Sequence, residues 1–146
     1  MNREDIFEAF FRLVCTAAEF KTVGRRLQLW TSVTAFPAVF VRHTGDHYVR
    51  EAMLAKVTIN AEIWIYSKAG ADPNVAPDTG LNELVDAVEA IMVPDTPMLN
   101  TLTLGGILGV QHCWLEGESI LDPGDLDFIA KAVLPVKILV ATPMRP

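Results

Sequence analysis

The chain has 146 residues, of which 51% are apolar and 21% are charged, and a formal net charge of −6 at pH 7. This length predicts one domain over residues 1–146, and the composition excludes an intrinsically disordered chain. The acidic balance argues against sequence-specific nucleic-acid binding, which needs a basic surface, although it is compatible with DNA passing nearby.

No apolar run approaches the roughly 20 residues that cross a membrane, and no targeting segment is visible. We therefore expect a soluble protein of a reducing cytoplasm that does not bind membranes. Cys15 and Cys113 lack metal-ligand spacing and lie among apolar residues. They are predicted to be buried, reduced thiols.

The first predicted element is a helix over Arg3–Glu19, because its apolar residues recur at helical spacing. Asn2 is its predicted N-cap. The stretch that follows, Lys21–Phe36, is predicted to be irregular. It contains Arg25 and Arg26, for which two interpretations stay open: a solvated turn with one ion pair, or a contact to a carboxylate of a partner.

A long strand over Ala55–Lys68 is the main feature of the sequence. One row of its side chains is apolar and alternates with a second row, as in a strand with one buried face. Trp64 and Tyr66 lie in the second row, and such aromatic side chains are common at protein contacts. We therefore predict that these two side chains are exposed and available to a partner. The apolar row comprises Val57, Ile59, Ala61, Ile63 and Ile65.

A shorter strand, Ala38–His43, is predicted to pair antiparallel with the long strand through a turn at residues 44–47. Two further segments contain charged residues, Arg42–Arg50 and Ala69–Asp78. We interpret these two segments as loops that contact a partner, since binding residues often lie on loops.

A second helix is predicted over Gly80–Val93, where apolar residues again recur at helical spacing. Gly105-Gly106 predicts a bulge, a tight bend or the close approach of another backbone. A phosphate-binding loop is rejected there, because its lysine and Ser/Thr are absent. Pro135 predicts that the last strand lies at a sheet edge or is interrupted there. The remaining strands are predicted at residues 107–115, 119–121 and 128–142.

This order of elements predicts an α+β fold. We expect a mostly antiparallel sheet of four to five strands with two main helices packed on one face.

The sequence contains little that indicates catalysis. His43 and His47 lack the context of a helical metal motif, and the acids of the turn 122–127 fail the calcium-loop pattern. We predict no catalytic residue, no cofactor and no metal site. Two alternatives remain: a small cytoplasmic enzyme using His43 or His47 with the acids of this turn, and a ligand-binding α+β module.

Several short segments are informative when they are taken together with the aromatic-bearing strand. They are Arg25-Arg26, FPAVFV at 36–41, LNELVDAVE at 81–89, TLGG at 103–106 and AVLPVKI at 132–138. In this order, and over nearly the whole chain, they resemble the tail terminator proteins of long-tailed bacteriophages, the minor tail protein U-like group.

The resemblance implies a structural protein that forms a hexameric ring on the finished tail tube, stops its polymerisation and presents a surface to the head–tail connector protein. Its partners would be copies of itself, the tail tube protein and the connector, at the head-proximal end of the virion tail, with the host cytoplasm as its location during assembly. A neck or head–tail connector protein is the related alternative. The candidate contact residues for subunits or tube are Arg25, Arg26, Arg42, Arg50, Trp64 and Tyr66.

Overall fold

The computed structural model describes residues 2–70, 72–96, 98–107 and 109–143. These residues form two α-helices, a short 3-10 turn at Trp30–Ser32 and six strands. The helices are α1 (Arg3–Cys15) and α2 (Thr79–Ile91). The strands are β1 (Thr22–Gly24), β2 (Ala38–Glu51), β3 (Leu54–Lys68), β4 (Val110–Leu115), β5 (Ile120–Asp122) and β6 (Ile129–Pro143).

The six strands form one curled, mixed sheet with the order β1-β2-β3-β6-β4, and β5 pairs with β6 as well. β1 runs parallel to β2, and the other pairs are antiparallel. The predicted fold class is therefore wrong: the chain is mostly a mixed sheet of six strands, not four to five antiparallel strands carrying two helices on one face. The additional parallel strand has only three residues, too few for an alternating pattern to be read.

The β2–β3 hairpin is longer than the sequence predicts. β2 pairs with β3 from Ala38 to Glu51, and the connecting turn is formed by Ala52 and Met53. The predicted turn at residues 44–47 is instead a β-bulge, because the pairing register shifts between His43 and Gly45. A bulge uses the same glycine-containing sequence as a turn and keeps the strand in the sheet.

The larger core lies between the helices and one face of the sheet. The predicted apolar row of β3 is confirmed, since all five of its side chains are buried there. They pack with apolar residues of both helices, including Phe10 of α1 and Val88 of α2. Each fully buried Ile or Phe contributes about 1.5–3 kcal/mol. The predicted cap of α1 is also confirmed, since Asn2 Oδ1 accepts a hydrogen bond from the Asp5 amide at 3.2 Å.

Among the residues that the structure describes, the opposite face of the sheet is covered at one end only. Residues 27–36, here named the covering segment, pack on it and form a smaller core around Val33, Phe40 and Tyr66. Towards the hairpin turn the same face carries polar side chains that include Asn60 and Lys137, and Lys137 Nζ donates to Asn60 Oδ1 at 2.8 Å. One face of the sheet therefore contributes to the larger core, and the other face is partly open.

Strand β6 lies inside the sheet, between β3 and the β4 and β5 strands. The β5 ladder ends at Val133 and the β4 ladder begins at Val136, so Pro135 falls in the gap between them. Both alternatives predicted for the last strand are wrong, because β6 lies inside the sheet and runs without a break from Ile129 to Pro143, with Pro135 opposite Glu62 of β3. A proline is tolerated at this position because its missing N–H faces no ladder partner.

Candidate functional site

The two aromatic candidates of β3 have different environments. Tyr66 is only 2% exposed, and its hydroxyl donates to the Gln28 carbonyl oxygen at 2.7 Å. Burial raises the pKa of this phenol. The expectation that Tyr66 is exposed is wrong, because the covering segment lies over it. Trp64 is half-buried, and its Nε1 donates to Glu62 Oε1 at 3.2 Å.

The two adjacent arginines also differ. The Arg25 guanidinium pairs with Glu4, lies 3.8 Å from Glu8 Oε2 and stands 5.4 Å from the ring centroid of Phe7. All three partners belong to α1 of the same chain, so Arg25 connects the end of β1 to that helix. Arg26 is exposed and makes no salt bridge with any described residue.

Arg42 and Arg50 are both exposed, but they lie on strand β2 and not in a loop, which corrects the prediction for residues 42–50. Arg42 is opposite Glu62 in the pairing register. Arg50 belongs to residues 48–54, here named the hairpin end. Four large apolar side chains of the hairpin end are exposed: Tyr48, Val49, Met53 and Leu54.

A groove on the helix side of the sheet, here named the α2–β5 groove, has a volume of about 400 Å³. Its lining is mixed: beside apolar side chains it includes Gly117, Ser119 and two exposed acids, Glu89 of α2 and Glu116 after β4. The apolar lining residues are Val85, Leu115, Leu121, Leu134 and Pro135. A groove of this composition suits an apolar side chain with a positive charge nearby.

The loop after α2 is organised by Asp95. Its carboxylate accepts hydrogen bonds from the Thr103 amide at 2.7 Å and from the Gly105 amide at 2.9 Å. Burial raises the pKa of Asp95, but the Gly105 and Thr103 amide bonds outweigh this effect and the pKa is lowered. In the loop that these hydrogen bonds stabilise, the side chain of Met98 is 98% exposed, and that of Leu99 is exposed as well. The sequence analysis did not single out Asp95, because an acid after a helix-ending proline is common.

The glycine pair lies in this loop and forms a tight bend, as predicted. Gly105 and Gly106 have φ angles of +80° and +81°, which glycine adopts at low cost. The strand predicted from residue 107 begins only at Val110, and Leu108 is outside the described residues. In the other predicted contact loop, residues 69–78, Ala71 is likewise outside the described residues.

His43 forms part of the contact between α1 and β2. Its Nε2 lies 2.6 Å from Asp46 Oδ1, and Arg3 Nε donates to Asp46 Oδ2 at 3.0 Å. Burial raises the pKa of Asp46, but the His43 hydrogen bond and the charges of His43 and Arg3 together lower it. The imidazole also contacts the Phe7 ring, with centroids 4.8 Å apart. Through these contacts His43 connects strand β2 to helix α1.

The enzyme alternative requires His43 or His47 to meet the acids of the turn 122–127, and the strand register separates them. His43 is opposite Ala61, whereas Asp122 pairs with Lys131, which is opposite Tyr66. Ala61 and Tyr66 are five residues apart on β3, or about 16 Å along the strand. His47 lies further still from the turn.

The acids of this turn have a partner of their own. Lys131 Nζ donates to Asp122 Oδ2 at 3.3 Å and to Asp127 Oδ2 at 2.6 Å, and the Lys131 hydrogen bond lowers the pKa of Asp127. Gly124 between them has a φ of +82°.

Burial raises the pKa of the Cys113 thiol to about 12. Among the described residues, no three His, Cys, Asp or Glu side chains are grouped to hold a metal ion.

Neither helix in the described part of the chain is long and apolar enough to span a membrane. No protein-family model matches the chain, and no curated protein matches it.

Proposed function

We propose that this chain is a non-enzymatic virion assembly protein that forms a ring on the end of a phage tail tube. It stops tube polymerisation and forms the surface to which the head attaches. Six copies of the chain form the ring. Its other partners are the tail tube protein and the head–tail connector protein. Its location is the head-proximal end of the tail.

The observation that carries this proposal is the distribution of exposed apolar side chains. Monomeric proteins expose single apolar residues widely, but groups of them indicate contacts with other proteins. Here such groups lie at the hairpin end, along β5 and at the loop that carries Met98 and Leu99. A subunit of a ring needs several contact surfaces, because it touches two neighbours as well as the objects above and below.

The order of the short sequence segments described above supports a tail terminator over other ring-forming proteins. The charge is also compatible with this role. A net charge of −6 disfavours tight adhesion of a DNA duplex that moves through the ring, since affinity for phosphates comes from basic side chains.

To test this proposal, the purified chain is added to tail tubes that were assembled in its absence. The tubes are then imaged by negative-stain electron microscopy. We expect ring-shaped density on one end of each tube, and no further growth of that end when tube subunits are supplied. Bare ends that continue to grow would contradict the proposal.

A further inference from the structure

We propose that helix α2 and its neighbours form a binding site for a free α-amino acid with an apolar side chain. The site is a pocket of about 440 Å³ between the start of α2, the end of β3 and the residues before β2, here named the α2 N-terminal pocket. Its polar lining residues are Ser67, Lys68, Gly80 and Glu83, and the others are apolar. This binding activity goes beyond the proposed function, and neither depends on the other.

Ser67 has a buried hydroxyl without a partner. The residue is 8% exposed, and its side chain makes no hydrogen bond with any described residue. Its place in β3 continues the row that packs in the larger core, in which the members from Val57 to Ile65 are all apolar. Buried polar groups in folded proteins nearly always have a hydrogen-bond partner. Because Ser67 lines the pocket, a bound ligand is the partner that this hydroxyl lacks.

The N-terminus of α2 lies beside this hydroxyl. A Cβ built on Gly80 would lie 3.3 Å from Ser67 Oγ, so no side chain separates the serine from the helix backbone. The Gly80 amide donates to no described carbonyl oxygen, and the N-cap, Asp78, makes no capping hydrogen bond and does not line the pocket. A free N–H at the positive end of a helix favours an anion. The hydroxyl and the amide can therefore donate to the same carboxylate.

The two charged residues of the pocket favour a zwitterion over a simple anion. Lys68 Nζ lies 5.8 Å from the ring centroid of Phe36, and neither Lys68 nor Glu83 makes a salt bridge with any described residue. Glu83 follows Gly80 by three residues on the same face of α2, or about 4.5 Å along the helix. A simple carboxylate bound at Gly80 would be repelled by Glu83. An α-amino acid instead places its carboxylate at the helix terminus and its ammonium group towards Glu83.

The apolar lining determines which side chain the ligand carries. It comes from the segment after α1, from the residues before β2 and from α2, and it comprises Ala18, Phe36, Pro37, Leu84 and Ala87. Apolar walls with a few convergent polar groups are typical of small-molecule sites, whose volumes are about 300–1,000 Å³. A hydrocarbon side chain packed on these walls leaves the two charged groups of the amino acid at the polar end of the pocket.

The test is isothermal titration calorimetry of the intact chain with L-leucine, L-valine and L-phenylalanine. The tightest of the three is then compared with its amide, which lacks the carboxylate, with its N-acetyl form, which lacks the ammonium group, and with glycine, which lacks the side chain. We expect saturable binding of the amino acid and about tenfold weaker binding of each comparison compound, because each loses one kind of contact. No binding of any of the three amino acids, or equal binding of the amide or the N-acetyl form, would overturn the proposal.

Ser67→Ala separates a binding role from a structural one. It should weaken amino-acid binding about tenfold and leave the thermal midpoint unchanged or higher, because the hydroxyl has no partner in the free chain. Ser119→Ala is the matched control, since Ser119 is exposed and lies outside the pocket. Unchanged affinity in Ser67→Ala would contradict the assignment of this hydroxyl to the ligand.

Glu83→Gln tests the position of the ammonium group. It should weaken binding of the amino acid and leave that of its N-acetyl form unchanged, because only the former is cationic at its nitrogen. Glu89→Gln, at an exposed acid of the same helix outside the pocket, should alter neither. Equal weakening of both ligands by Glu83→Gln would overturn the zwitterion assignment.

Discussion

The hydroxyl of Tyr66 donates a hydrogen bond to the carbonyl oxygen of Gln28 at 2.7 Å, and this bond attaches the covering segment to the open face of the sheet. Phe40 lies next to Tyr66, with ring centroids 5.6 Å apart. A segment whose regular structure is the short 3-10 turn Trp30–Ser32 is thereby held over one end of a sheet face. The tyrosine stabilises the fold of its own chain and is not a surface for partners.

Replacing Tyr66 with Phe removes the hydroxyl and keeps the ring. We expect the free energy of unfolding to fall by about 1 kcal/mol, the usual net contribution of one hydrogen bond. Urea denaturation measures it. The matched control is Tyr48→Phe, whose hydroxyl bonds Arg3 on the surface and should matter less. A larger loss in Tyr48→Phe than in Tyr66→Phe would contradict this account.

Arg25→Gln removes the charge that faces Glu4 and Glu8 on α1. Because these groups are partly exposed, we expect the free energy of unfolding to fall by only about 0.5–1 kcal/mol. The decrease should be smaller at high salt, which screens the charges. Arg26→Gln should leave stability unchanged, since Arg26 is exposed. Thermal unfolding at two salt concentrations checks both. Equal effects of the two substitutions would mean that the Arg25 contacts contribute nothing.

The Asp46 carboxylate gives stability a defined pH dependence. Its pKa is lowered in the folded chain, so its contribution is present above the unfolded pKa of about 4 and is lost as the pH falls through the folded value. Asp46→Asn should therefore destabilise the chain by about 2 kcal/mol at pH 5, with a smaller difference below pH 4. Denaturation at pH 5, 4 and 3 measures this. Asp125→Asn, at an exposed acid, is the control, and a difference independent of pH would count against the assignment.

Gly124 in the turn between β5 and β6 has both a positive φ and close neighbours. A Cβ there would lie 2.8 Å from the Ala130 amide nitrogen, whereas at Gly106, with nearly the same φ, no atom lies within 4 Å. Gly106→Ala should lower the free energy of unfolding by about 1–2 kcal/mol, because alanine disfavours the left-handed backbone conformation. Gly124→Ala should cost clearly more, because backbone atoms must also move. Similar losses in the two variants, measured by urea denaturation, would show that the turn relaxes freely.

The sequence predicted the elements whose side-chain pattern extends over many residues. The alternating row of β3 and the helical spacing of α1 and α2 depend on local geometry, which a single sequence displays directly. These features identified the long strand and the two helices. Pro135 was misleading, because its missing N–H falls between the β4 and β5 ladders, and β6 therefore stays continuous inside the sheet.

What the sequence did not predict depends on contacts between distant segments. β1 is defined by three pairs with β2 and has no pattern of its own. The burial of Tyr66 depends on an irregular segment more than 30 residues earlier in the chain, as the separation of 38 positions from Gln28 shows. The α2–β5 groove joins residues 85–135, so no short motif contains it.

The central claim is that this chain limits the length of a phage tail tube, and the most direct measurement is the distribution of tail lengths. Tails are assembled with the intact chain and without it, and their lengths are measured by electron microscopy. We predict a narrow distribution with the chain, and overlong tubes of variable length in its absence. Tubes of the same uniform length in both samples would contradict the claim.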